Sequence, residues 1–382
     1  MVSEISGRAV ISGIGQTEFS KDSGRSTLRL ATEAATAAIA DAGLEPADIR
    51  GTVTFTQDEN DEIALATAVG IPELGYTSRS RGGGGGSGST IQQAAVAVAS
   101  GVADHVLIYR AFNERSGRRF GQPLKGNPDP TWNPYRPYGL DTPMKVYALW
   151  AQHYLHHFGL TNEDLALYAV QAREYASTNP AASYYGKPLS FEEHQASRWI
   201  VEPVLRLYDC CQESDGGVAL VVSRSDQASR YPSPVRIRAA VQGHLRGGHE
   251  MFNYYEGDLT YFPETRAVAT RIWNEAGVTG TDYDVALLYD NMTPMVFLQM
   301  EGLGICGPGE ARDFIASGGM RLDGATPINT NGGLIGEGYI HGMNLITEGV
   351  RQVRGTAANQ VKNVEHVFLA SGVAGAVIGR AA

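Results

Sequence analysis

Apolar and polar positions along this chain follow two alternating periods. From Thr27 an alanine-rich stretch repeats its apolar residues at helical spacing. It stops at Ala42-Gly43-Leu44 and gives way after Asp48 to a β-rich run ending in TVTF at Phe55. The same succession returns from Arg266, with a helix, Ala276-Gly277-Val278, a turn, Asp282 and the run VALLY ending at Tyr289. A second pair of matching blocks follows. The glycine loop Gly82 to Gly88 leads into a predicted helix from Thr90 to Ser100 and a strand from His105 to Tyr109. Likewise NTNGGLIGEGYIHG, Asn329 to Gly342, leads into a helix reaching Val353 and a strand from His366 to Leu369. A repeat of this kind predicts two similar α/β halves. They span residues 1–225 and 235–382, with Ser223 to Ser233 as the linker and the second half starting near Val235. Glycine ends the helices, and the strands are almost continuously apolar, as in sheets covered on both faces.

Between the repeats, residues 113–207 read as an insertion rich in proline and aromatics, among them Trp132, Tyr135, Tyr138, Tyr147, Trp150, Tyr184 and Tyr185. Met144 to Phe158 and Glu163 to Thr178 have apolar spacing near 3.6, with Asn162 as a cap; the remainder reads as irregular, lid-like chain. Its aromatics either line an apolar substrate tunnel or cover a dimer surface. Leu205 to Ser223 closes the first half with a strand. The run RGGGGGSGST, Arg81 to Thr90, has the composition of a flexible linker. Its place before an amphipathic helix, mirrored by NGGLIGEG in the other half, argues for a structured turn.

Composition narrows the function classes. The chain has 382 residues, 43% of them hydrophobic, 46 glycines and a net charge of −10, with no Lys- or Arg-rich block. This argues against nucleic acid or an anionic membrane as the main partner. No window approaches the run of ~18 apolar residues that a membrane span needs, and the N-terminus lacks the pattern of an export signal. Three cysteines, Cys210, Cys211 and Cys306, leave at least one free thiol and suit a reducing cytoplasm. Cys210 and Cys211 read as small apolar core residues. No metal site is expected: His153 and His157 sit four apart on a predicted helix with no identifiable third ligand.

Taken together, the doubled half, the glycine loop before its helix, DCCQESDGGVALVV, the stretch Gly302 to Glu310 and NTNGGLIGEG resemble the thiolase superfamily along essentially the whole chain. The sterol-carrier-protein type is the most similar branch. The resemblance implies a five-layered α-β-α-β-α fold. Thiolases need a nucleophilic cysteine, an Asn or His in a loop after a second-half strand, a GHP histidine and a C-terminal CxG cysteine. Carried over position by position, these become Gly85, Tyr289, Tyr339 and Ala370 here. A glycine forms no acyl-enzyme, so thioester exchange through an enzyme thiol is excluded.

Two of the replacements are tyrosines, and with YDNMTP and GYIHG they resemble the steroid side-chain aldolases of bacterial cholesterol catabolism, lipid-transfer-protein relatives of thiolases. The implied reaction is retro-aldol cleavage of a β-hydroxyacyl-CoA on a steroid to a ketosteroid and propionyl-CoA, with CoA as part of the substrate and no other cofactor. A phenol, with a pKa of about 10, exchanges protons with an alkoxide or enolate better than a carboxylate does. Tyr339 is therefore expected as the leading acid/base, with Tyr289 either positioning the hydroxyl or reprotonating the enolate. Main-chain N–H groups at Gly85 and Gly372 are expected to meet the thioester oxygen, aided by a helix N-terminus, with Gly338 and His341 as further substrate contacts. His341 either orients Tyr339 or touches CoA, and Arg246 and His249 are weaker candidates for a CoA phosphate. The resemblance also implies a homodimer through the thiolase-like core and a small zinc-ribbon/OB-fold acyl-CoA protein as partner, together a heterotetramer. Two other readings stay open: a non-catalytic lipid or acyl-CoA carrier, and an aldolase or condensing enzyme acting on another acyl-CoA.

Overall fold

A computed structural model describes residues 5–81, 83–122, 132–245, 260, 262–277 and 283–381. In chain order the first half contains β1 (Ala9–Gln16), α1 (Thr27–Asp41), β2 (Gly51–Phe55), α2 (Glu62–Val69), β3 (Tyr76–Ser80), α3 (Ser87–Ala99) and β4 (His105–Asn113). Next come α4 (Pro143–Phe158), α5 (Asn162–Thr178), α6 (Phe191–Ala196), the short pair β5 (Trp199–Val201) and β6 (Leu205–Arg206), and β7 (Asp215–Arg224). The second half contains β8 (Val235–Gln242), α7 (Pro263–Ala276), β9 (Val285–Leu288), α8 (Thr293–Leu303), α9 (Ala311–Ala316), α10 (Gly333–Gly336), α11 (Met343–Arg354), β10 (His366–Ala370) and β11 (Ala374–Arg380).

Apart from the separate β5-β6 pair, the strands form one mixed sheet in the order β3-β2-β4-β7-β1-β8-β11-β10-β9. β1 and β8 join its halves by antiparallel pairing of Ala9 with Ile237. Period-2 alternation sorts the strand residues into layers. Val106 and Ile108 of β4, and Val285 and Leu287 of β9, face a central core shared with Ile91 and Val98 of α3 and Ile346 and Val350 of α11. Their neighbours turn the other way. Leu107 and Tyr109 pack under α1, whereas Ala286 and Leu288 pack with Val268 of α7 and Phe297 of α8. Helix, first-half strands, central helices, second-half strands and helix therefore succeed one another. Each half of the sheet is apolar on both faces because it lies between helices.

Three details depart from the sequence reading. The cap of α5 is Thr161, which forms a capping box with Asp164. Asn162 instead sits buried in the first turn and donates to Asp209 and to the Val204 carbonyl, each at 2.8 Å. In the helical part of the insertion the aromatics do not cover an exposed surface: Trp150 and Tyr154 of α4 and Tyr168 of α5 are buried in the core outside the second-half sheet. Trp150 lies against Phe262, ring centroids 4.8 Å apart. Finally, α3 begins at Ser87 rather than Thr90, since Gly84–Gly86 form a single 3₁₀ turn running straight into it. Among the described residues no helix is long and apolar enough to cross a membrane.

Candidate active site

Each tyrosine is held by backbone contacts, with a buried carboxyl within two residues of it in sequence. Tyr289 directly follows β9; its N–H donates to the Ala370 carbonyl at 2.9 Å and its own carbonyl accepts from Gln299 Nε2 at 2.7 Å. The strand that a complete second half would place beside β9 is reduced to a single bridge between Ala286 and Ile328. Asn329 substitutes for its next rung: Oδ1 accepts from the Leu288 N–H at 2.8 Å and Nδ2 donates to the Leu288 carbonyl at 2.9 Å. Asp290 then takes the Leu334 N–H and the Tyr168 hydroxyl, each at 2.8 Å, tying the Tyr289 loop to α10.

Tyr339 lies between α10 and α11, and its N–H donates to Ser214 Oγ at 3.2 Å. Glu337, two residues earlier, is fully buried and accepts from Asn331 at 2.6 Å, Asn344 at 2.7 Å and Asn179 at 3.2 Å. Burial pushes the carboxyl of Asp290 up to about 6 and that of Glu337 up to about 7. A carboxyl whose pKa is raised on folding supports the fold below its unfolded pKa and loses that support as pH rises through the folded value. For Glu337 the window runs from 4.5 to about 7. The stability difference between wild type and Glu337→Gln, measured by urea unfolding, is expected to move against the wild type by up to about 3 kcal/mol across that window. A constant difference would show that Glu337 does not titrate there.

The two phenols meet. Tyr289 Oη and Tyr339 Oη are 2.7 Å apart, with both side chains buried. Burial pushes both hydroxyls well above their ordinary pKa, so both are protonated at neutral pH. Tyr339 also packs against Phe112 and, edge-on, against His341, at centroid distances of 6.4 and 5.3 Å.

The glycine turn sits over this pair. A Cβ on Gly84 would overlap the Tyr289 hydroxyl, and one on Gly342 would come within 3.1 Å of the same ring. The residue whose side-chain space the phenol occupies is therefore Gly84, one position before the residue that motif alignment selects. Gly85 lies against the 370–372 turn, its Cβ position 3.3 Å from the Ser371 carbonyl oxygen. The Ser371 hydroxyl accepts from the Gly88 N–H at 3.0 Å, so that turn is bound to the start of α3. Gly372, at φ +80°, opens on free space. The Cβ position of Gly338 is 2.7 Å from the Phe19 ring, so close packing against Phe19 requires glycine there. Arg246, His249 and Gly82 lie outside the described residues.

Several buried polar groups in the site escaped the sequence reading. Arg110 and Asp58 form an ion pair at 2.9 Å with both side chains buried, and Arg110 Nε donates to His341 Nδ1 at 3.2 Å. Glu114 stands just beyond β4 with one carboxyl oxygen unpaired, and burial, with the nearby Glu213 carboxylate, pushes it well above the carboxylate range. Strand alternation puts Arg110, Phe112 and Glu114 on one face. The available signal was a charged residue inside the apolar run HVLIYRAFN, which a buried strand tolerates only with a partner. Among the described residues no group of three or more His, Cys, Asp or Glu is placed to hold a metal ion.

Residues 249–381 match the Thiolase C-terminal domain-like family. The chain is 51% identical over 375 residues to the 17-hydroxy-3-oxo-4-pregnene-20-carboxyl-CoA lyase of Mycobacterium tuberculosis, covering 96% of this chain and 97% of that protein. It is 48% identical to the steroid side-chain-cleaving aldolase of Thermomonospora curvata, with 97% and 96% covered. The chain belongs to the steroid side-chain-cleaving aldolases of the thiolase superfamily. A solved structure of an Ltp2-ChsH2(DUF35) aldolase superposes with a TM-score of 0.94 at 48% identity over 99% of both chains.

Proposed function

We propose that this protein is a carbon–carbon lyase that splits a steroid β-hydroxyacyl-CoA thioester into a ketosteroid and propionyl-CoA. The observation that carries this reading is the 2.7 Å contact between two buried, neutral phenols. In a retro-aldol step the hydroxyl O–H bond breaks, its electrons form the new ketone, the carbon–carbon bond breaks, and its electron pair becomes the thioester enolate. The enolate carbon then takes a proton. One proton leaves oxygen and one arrives at carbon, so no external base is consumed. A hydrogen-bonded phenol pair meets that requirement: one phenol accepts the hydroxyl proton while passing its own to the other, which delivers a proton to carbon. Tyr339 and Tyr289 are the assigned pair. The enolate oxygen is assigned to main-chain donors at Gly85 and Gly372, beside the N-terminus of α3.

The relatives' names support the substrate class, and the matched structure, which joins its thiolase-like chain to a ChsH2(DUF35) protein, supports a partner. Assembly as a homodimer carrying that small zinc-ribbon/OB-fold partner, in a cytoplasm that keeps Cys210, Cys211 and Cys306 as free thiols, completes the proposal. A pure carrier would need no proton-exchanging pair. The test incubates the protein, with and without the partner, with a steroid CoA thioester bearing a tertiary β-hydroxyl in D2O. One deuteron per turnover at the α-carbon of propionyl-CoA is expected; binding without cleavage in the presence of the partner would overturn the assignment.

A further inference from the structure

We propose that His341 is a third catalytic group, a neutral imidazole whose Nε2–H donates to the thioester oxygen as negative charge grows there; this rests on the retro-aldol reading. Its tautomer follows from geometry. Arg110 can only donate, so His341 Nδ1, 3.2 Å from Arg110 Nε, must accept, and the ring proton therefore resides on Nε2. Asp58 holds the guanidinium from the other side at 2.9 Å, so the donor cannot swing away. A proton on Nδ1 would point at the Arg110 N–H, which closes the imidazolium form.

The ring is aimed as well as protonated. Nε2 and Cε1 lie 3.6 and 3.4 Å from the Cβ position of Gly83, while the next residue, Gly84, covers the Tyr289 hydroxyl. Imidazole and phenols thus address consecutive residues of one turn, and a thioester held over that turn reaches both. No hydrogen bond joins Nε2 to another described residue, so its N–H is available to a ligand. Phe112 and Phe120 clamp the ring, each at 5.0 Å between centroids. A neutral imidazole suits an enolate because it donates without becoming a trapped cation, the same logic by which a neutral histidine polarises a carbonyl in other enolising enzymes.

His341→Asn is the test variant, because asparagine tolerates positive φ and keeps the loop while removing the reach of the donor. In the complex with the partner, kcat is expected to fall roughly 10²–10³-fold with KM for the CoA thioester little changed. Unchanged kcat overturns the proposal and leaves the lyase reading intact. A second measurement is independent of turnover: ¹⁵N spectra of histidine-labelled wild type should show a protonated Nε2 and a bare Nδ1 at His341 at pH 7. Saturating propionyl-CoA should shift the Nε2–H resonance. The opposite tautomer, or no shift at saturation, overturns the proposal whatever the state of the activity assay.

Discussion

Tyr339→Phe is expected to slow carbon–carbon cleavage by roughly 10²–10⁴-fold, the usual contribution of a positioned acid/base. The substitution keeps the ring and its packing against Phe112 and His341, so the fold should survive. It removes one oxygen of the 2.7 Å pair and leaves the Tyr289 hydroxyl without that partner in a buried setting. Tyr289→Phe removes the other end and should cause a loss of similar size. Because a relay needs both members, the double variant should be little slower than either single one, far from the product of the two effects. Single-turnover rates on the steroid thioester decide the matter, with thermal melting as the control for folding. Wild-type rates in both single variants would remove the phenols from the mechanism.

Gly84→Ala should be almost as damaging, by a different route. Its backbone lies in a 3₁₀ turn that alanine also adopts, so conformation alone should not disfavour the change. The added methyl, however, would occupy the space of the Tyr289 hydroxyl. Overpacking of this kind typically destabilises by about 1–3 kcal/mol, and here the displaced atom is one oxygen of the proposed relay. Activity should drop to near the Tyr289→Phe level. Gly85→Ala is the comparison: its methyl would meet only the Ser371 carbonyl oxygen, at 3.3 Å, and a loss within about tenfold is expected, since a small shift of that turn relieves the contact. Loss at Gly85 with tolerance at Gly84 would mean that the phenol does not lie where the structure places it.

The contrast between those glycines shows where motif reading stops. Alignment of the GST at Gly88 to Thr90 with a cysteine-containing helix start points to Gly85. Which of five successive glycines faces a phenol arriving from β9 depends on the rotation of one 3₁₀ turn, and a glycine run carries no side-chain pattern to report it. Gly338 carries a packing constraint that the sequence does not report: between Glu337 and Tyr339 it reads as a site residue, and its missing side chain also accommodates Phe19. Asn162 looked like a cap because asparagine is a common one. Thr161 stands one residue earlier with Asp164 at the capping-box spacing, which leaves Asn162 free to bind Asp209. The aromatic insertion was read by composition, which cannot distinguish a tunnel wall from the core around Trp150.

Periodicity was enough to determine the doubled α/β pattern and its buried strands, which are properties of spacing within a few turns of chain. The missing thiol and the candidacy of two tyrosines were implied by the resemblance of the motifs to those of thiolases. The 2.7 Å meeting of hydroxyls 50 positions apart was decided only when the second-half sheet and the loop before α11 packed together. So was the Arg110–His341 contact, across 231 positions, which sets the tautomer. Such contacts depend on how two halves close around shared central helices, and no stretch of sequence contains that geometry.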